Sequence, residues 1–223
     1  MRIHTFENKD TLTPQHALAY LKEGNYRFLS NLKVNRDLLS LVNQYSDAQF
    51  PFAAILGCSD SRVPTELIFD QGLGDLFIVR LAGNIASKNA IGSLEFSCKY
   101  LGSKIVVVLG HSACGAVKAA CDHIQDGNIT ELVSHITPAL KKEKTILTER
   151  TSKNEAFLDK MIHHNIEYQI ETILKDSDIL YNLAIEEKIL IVGAVYDLNT
   201  GKVEFMENIA THALQKMAAT SAN

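Results

Sequence analysis

The sequence contains no tryptophan, and only four prolines and four cysteines among its 223 residues. The prolines are scattered (Pro14, Pro51, Pro64, Pro138), so there is no proline-rich linker, and no low-complexity tract or internal repeat marks a domain boundary. No apolar run reaches the roughly 18–20 residues that a membrane-spanning helix needs. The opening segment MRIHTFENKD lacks the apolar stretch of a secretory signal. A basic excess is missing as well. Lys and Arg number 22 against 26 Asp and Glu, a net charge of −4, which gives no footprint for nucleic acid. What is present, 46% hydrophobic and 22% charged residues, is an ordinary globular mixture in a chain long enough for one substantial core. Four cysteines in such a chain read as thiols in a reducing compartment, metal-binding, catalytic or buried, and the expected location is cytoplasmic.

Thr13 and Pro14 supply a helix cap and a proline at the first helical position. Ala17, Leu21, Gly24 and Phe28 then recur at helical spacing, which predicts an amphipathic helix over 13–30. Four continuous apolar runs, at 52–56, 76–79, 105–109 and 189–195, are rich in β-branched residues. Continuous rather than alternating runs predict strands buried on both faces of a parallel sheet. Residues 202–206 alternate and follow the turn Asn199-Thr-Gly201, which predicts an antiparallel edge strand paired with 189–196. Helical patterns occupy 89–101, 115–125, 130–147 and 154–174. The expected fold is therefore α/β, a mostly parallel central sheet flanked by helices, with an antiparallel edge strand and an N-terminal helical arm.

Ligands of open α/β sheets bind beyond the carboxyl ends of strands. Two such ends carry unusual residues, Gly57-Cys-Ser-Asp-Ser-Arg62 after the first strand and Gly110-His-Ser-Ala-Cys-Gly115 after the third. Cys58, His111 and Cys114 would make a three-ligand zinc site with an open fourth position. Each residue also has a plainer reading, because a lone cysteine commonly fills core space. A rival set, Cys114, Cys121 and His123, fails on geometry. On a helix at about 1.5 Å per residue the two sulfurs would lie about 10 Å apart, too far for one ion. Cys98 and Cys121 are expected to be core. Asp60 and Arg62 read either as a solvated pair or as a carboxylate clamped by a guanidinium, which would keep it ionised and available to accept a hydrogen bond from water.

These two motifs, together with Asp70-Gln-Gly-Leu-Gly-Asp75, Val79-Arg80, Gly83-Asn-Ile85, Ser93-Leu-Glu95 and Gly193-Ala-Val-Tyr-Asp197, closely resemble the β-class carbonic anhydrases over about residues 49–206. The resemblance implies zinc, one ion per chain, on Cys58, His111 and Cys114, with Asp60 and Arg62 as a catalytic dyad. It implies reversible hydration of carbon dioxide to bicarbonate by attack of zinc-bound hydroxide. Gln49 and Phe77 match substrate-pocket positions of a constitutively open subclass. Phe96 stands where that subclass often has tyrosine, and Ile55 stands where another subclass has the tryptophan of an allosteric bicarbonate site. Ala82 is expected to line the apolar pocket, and the Gly115 amide to hydrogen-bond the anionic product. The alternatives are hydrolysis of carbon disulfide or carbonyl sulfide on the same fold, and a zinc protein without turnover.

The resemblance further implies a single domain with an arm over 1–48, a catalytic core over 49–206 and a C-terminal segment over 207–223. It implies a homodimer or homotetramer in which the N-terminal helix wraps the neighbour and pocket residues come from both chains. Neither nucleic acid nor a membrane is an expected partner. His123 and His135 are candidate proton shuttles or plain surface residues. His163 and His164 are expected to be structural, and Lys141, Lys142 and Lys144 to form a solvated helix face.

Overall fold

The computed structural model describes residues 11–221. Its centre is a five-stranded sheet of order β2-β1-β3-β4-β5, built from β1 (Ala53–Gly57), β2 (Leu76–Arg80), β3 (Ile105–His111), β4 (Leu190–Tyr196) and β5 (Val203–Met206). The first four strands are parallel, and β5 runs antiparallel to β4. β1 and β3 lie in the middle and are buried along their whole length, which is why their sequences carry no alternation.

Successive side chains of a strand point to opposite faces. Ala54, Leu56, Val106 and Val108 therefore join one core, and Ala53, Ile55, Ile105 and Val107 the other. The first core is roofed by α4 (Lys88–Phe96), α5 (Gly115–Cys121) and the long α8 (Glu155–Asp176). The Asn154 side chain caps α8 by accepting the Phe157 N–H, and Ile162, Ile166 and Ile170 form its buried stripe. That stripe reaches the sheet only because Gly110 and Gly193 face it. A Cβ on either would come within 2.7 or 2.6 Å of Ile166.

The second core is covered by α1 (Pro14–Leu29) and α3 (Thr65–Ile68). Thr13 caps α1 by accepting the His16 N–H. Ala17, Leu18 and Leu21 are buried, and Asn25 ties the helix down by donating to Ile68 O and Gly201 O while accepting from Val203 N. One face of helix α1 is thus part of its own chain's core, while Tyr26 and Leu29 on it stay exposed. Residues 1–10 of the expected arm lie outside the described residues. The projecting part follows α1, where α2 (Leu38–Gln44) buries none of its side chains and Leu32, Leu38, Leu39 and Val42 are exposed. This segment is anchored at Asp70, which accepts from Arg27, Arg36 and the Val34 N–H.

Three expectations are corrected. Residues 130–147 are not one helix but α6 (Gly127–Ser134), α7 (Thr137–Leu140) and an irregular segment. Pro138 cannot continue the ladder of α6, and α7 starts afresh with it in the first turn. Lys141, Lys142 and Lys144 therefore share no helix face. They flank the buried Glu143, which accepts from the N–H groups of Thr145 and Ile146, and Lys142 pairs with Glu171 at 2.9 Å. Helix α5 stops at Cys121 rather than 125, and the α4 segment widens into a π turn over Ser97–Leu101 that Gly102 ends at φ +86°. Helices α2, α3, α9 (Asp178–Ile185) and α10 (Ile209–Ser221) carried no pattern strong enough to predict.

Candidate metal centre

β1 and β3 pair in parallel with Gly57 opposite Leu109, so both chains leave the sheet at the same end. Cys58 follows β1 directly, and His111 is the last residue of β3. The chain then reverses through Ala113, at φ +55°, and enters α5 with Cys114 at its cap position. The ligand atoms of Cys58, His111 and Cys114 all lie within 4.8 Å of one another, and all three residues are buried.

The geometry fits a tetrahedral ion. Two sulfurs each about 2.3 Å from one zinc stand about 3.8 Å apart at the tetrahedral angle, and the Cys58 and Cys114 sulfurs are 3.9 Å apart. His111 Nδ1 lies 3.0 Å from Ser112 O. A carbonyl only accepts, so the proton sits on Nδ1 and the lone pair on Nε2. That Nε2 is buried with no hydrogen-bond partner, a costly state for a polar atom unless a cation completes it. The thiols point the same way. The Cys114 thiol donates to Cys58 and lowers its pKa against the opposing effect of burial, with backbone N–H groups adding to the shift. The same contact, with burial, raises Cys114. Both sulfurs can ionise together only beside a positive ion.

Asp60 stands next to this cluster, with Oδ2 3.9 Å from His111 Nε2. Arg62 holds it with Nε on Oδ1 at 2.9 Å and Nη2 on Oδ2 at 2.7 Å, while the Arg62 backbone N–H donates to Oδ1. These hydrogen bonds keep the Asp60 carboxyl well below the usual carboxylate range, although burial opposes them. Arg80 fixes the backbone beneath, donating to Cys58 O and Asp60 O. The Gly83 N–H donates to Cys58 Sγ at 3.3 Å. Arg80 and Gly83 fell within recognised motifs but carried no assigned role, because neither ligates nor titrates. Their strand-end position is the signal that could have exposed them.

Not every expected site residue is brought here within one chain. Ala82 opens a short turn, Ala82–Asn84, at the metal end, and Gly115 is exposed at the start of α5. Phe77, by contrast, pairs in register with Ala54, four positions short of Cys58, or about 13 Å at about 3.3 Å per residue. Its ring centroid is 6.4 Å from that of Phe96, which is 48% exposed and packs on Tyr100. Gln49 is exposed and precedes β1, at the end opposite Cys58. Cys98 and Cys121 are buried in the core, where burial pushes their thiols up to about 12 and about 11. His123 is exposed, His135 lies 3.4 Å from Glu131, and His164 bridges Glu143 and Glu167.

An open α/β sheet that gathers two thiols and an imidazole at adjacent strand ends, beside a clamped carboxylate, defines a metal-dependent enzyme centre with one coordination position left for a small molecule. The family model described as carbonic anhydrase matches residues 53–203. The carbonic anhydrase of Mycolicibacterium smegmatis is 33% identical over 202 residues, covering 88% of this chain and 95% of that one. Carbonic anhydrase 2 of Mycobacterium tuberculosis is 32% identical, covering 88% and 94%. Among solved structures, the Coccomyxa beta-carbonic anhydrase in complex with acetazolamide superposes with a TM-score of 0.71 at 25% identity, covering 83% of this chain and 89% of that one. The chain belongs to the carbonic anhydrase family. Among the described residues no helix is long and apolar enough to cross a membrane.

Proposed function

We propose that this chain catalyses the reversible hydration of carbon dioxide to bicarbonate and a proton, with zinc held by Cys58, His111 and Cys114. The observation that carries the reading is the convergence of those three buried ligand atoms within 4.8 Å beside an ionised, immobilised Asp60. The carbonic anhydrase name shared by the family model and the relatives favours carbon dioxide over its sulfur analogues.

Zinc, when bound, supplies a Lewis acid that makes water nucleophilic near neutral pH, a role usually illustrated with the three-histidine carbonic anhydrases. The chain's own residues supply orientation. Asp60 Oδ2 faces the ligand cluster and accepts a hydrogen bond from the reacting water, aiming its oxygen lone pair at the carbon of carbon dioxide. Arg62 keeps the carboxylate ionised and stops it from turning onto the metal. Arg80 holds the backbone carbonyls of Cys58 and Asp60, so both side chains move as one unit. Ala82 forms a small apolar wall, and the exposed Gly115 amide offers a donor to the product anion.

Gln49, Phe77 and Phe96 lie toward the opposite end of the strands, so in this reading they serve the centre of a second copy. A two-fold pair brings the same surface of each subunit to the other. The exposed apolar residues Leu32, Leu38, Leu39 and Val42 supply the interface of that homodimer, and dimers pair further into a tetramer. The cell compartment is the cytoplasm, where both ligand thiols stay reduced.

Stopped-flow hydration of carbon dioxide, paired with metal analysis, tests the reading. One zinc per chain is expected, with turnover abolished by chelation and restored by zinc. A fully zinc-loaded protein without turnover would refute it, as would carbon disulfide hydrolysis that outpaces carbon dioxide hydration.

A further inference from the structure

Helix α8 carries two amides in an otherwise apolar buried stripe, Asn165 and Gln169, each about 1% exposed. Buried amides are costly unless satisfied, and these are spent on a single turn of chain. Asn165 Nδ2 donates to Gly83 O at 2.9 Å. Gln169 Oε1 accepts the Ala86 N–H at 2.9 Å, while its Nε2 donates to Asn165 Oδ1 and to His135 O. The pair therefore grips both ends of the 83–86 turn and braces itself. On the other side Gly83 is pressed against Ile136 and Ala116. With the turn held in this way, the Gly83 N–H points at Cys58 Sγ at 3.3 Å.

We infer that Asn165 and Gln169 are positioning residues for the metal, setting the 83–86 turn so that the Gly83 N–H hydrogen-bonds the Cys58 sulfur. The inference rests on the reading of Cys58, His111 and Cys114 as metal ligands. A hydrogen bond to a ligand sulfur draws off part of its charge and fixes the direction of its lone pairs. Such outer contacts commonly change metal affinity or activity by about 10–100-fold. Neither amide lies at a strand end or next to a ligand in sequence. Their effect passes through the hydrogen bonds that hold the 83–86 turn and across Gly83 itself, from its C=O to its N–H.

The test compares wild-type protein with Asn165→Leu and Gln169→Leu, using Ile173→Val in the same helix as a control for general loosening. Two properties are read: zinc affinity by chelator competition, and the thiolate-to-metal absorption band after cobalt substitution. In the amide variants zinc affinity should fall by about 10-fold or more and the cobalt band should shift, whereas Ile173→Val should move neither. A normal wild-type band, with band and affinity unchanged in folded Asn165→Leu, would overturn this inference alone. A wild-type protein that shows no thiolate band would overturn the metal reading and this inference with it. If the amide variants do not fold, the cadmium-substituted wild-type protein decides by NMR. A coupling between the Gly83 amide proton and the metal, transmitted through the sulfur, is expected, and its absence overturns the proposal.

Discussion

Replacing Gly83 by alanine separates two costs that the structure allows to be worked out individually. The residue sits at φ +72°, a left-handed conformation that costs a residue with a Cβ about 1–2 kcal/mol. An added Cβ would also stand 2.6 Å from Ile136 Cδ1 and 3.1 Å from Ala116 Cβ, well inside the roughly 3.5–4.0 Å of a relaxed carbon contact. Ile136 is fully buried and has little room to retreat, so overpacking adds about 1–3 kcal/mol. The total is about 2–5 kcal/mol. Gly102 is the built-in reference, because it lies at φ +86° with nothing within 4 Å of an added Cβ. Gly102→Ala should therefore show the conformational cost alone. Urea unfolding of both variants at one protein concentration measures the difference. Equal stabilities would refute the steric argument. Gly83→Ala should also weaken zinc binding by shifting the N–H that Cys58 Sγ accepts, and Gly102→Ala should not. Equal zinc affinities in the two variants would refute that link.

Three further outcomes follow from other parts of the structure. Asp60→Asn should keep its zinc, since Asp60 is not one of the clustered ligands, yet lose about 10²–10⁴-fold in turnover with the loss of an ionised acceptor; stopped-flow rates on zinc-loaded protein check this, and undiminished turnover would remove Asp60 from the mechanism. At Asp70, burial would raise the carboxyl, but the Arg27, Arg36 and Val34 contacts outweigh it and the pKa is lowered. Its contribution is therefore present above the unfolded value of about 3.9 and lost as pH falls through and below that value. Asp70→Asn should cost about 1–3 kcal/mol near neutrality, less than a fully buried pair because both arginines reach water, and the gap to wild type in urea unfolding should close in acid. Leu39→Asp places a charge on the exposed apolar face of α2 and should yield a zinc-loaded monomer of low turnover, which sedimentation and hydration assays would show; an intact oligomer would remove α2 from the interface.

The parts of the fold legible in the sequence were those encoded by local runs. Val106 to Leu109 and Ile189 to Val192 are unbroken apolar stretches because both of their faces are covered, and no other arrangement hides them. Cys58 and His111 could be paired because each follows such a run, and neighbouring parallel strands deliver their ends to one place. Local pattern failed where tertiary contacts decide. The stretch over 130–147 has helical periodicity, but Pro138 and the demand of the buried Glu143 for N–H donors break it. The apolar face of α1 is equally compatible with an intramolecular or an intermolecular partner, and only packing against Phe52 and Phe69 distinguishes them. Phe77 and Phe96 could be matched to pocket positions of the family but not located, because strand register relative to Cys58 is a property of the sheet rather than of the sequence. Asn165 and Gln169 could have been noticed as polar interruptions of a core stripe, although nothing in the chain names what they hold.

Among the described residues strand β2 forms one margin of the sheet, with a hydrogen-bonded neighbour on β1's side only. Its residues Leu76, Phe77, Ile78 and Val79 are only half-covered, and Arg80 is the lone charge, at the very end. An apolar margin without lysine or proline is a template for pairing with stray chains. A folded chain with this margin uncovered therefore carries an aggregation hazard. If the proposed assembly covers this margin, substitutions that slow it should lower recoverable yield in the cell before any change in catalysis can be measured.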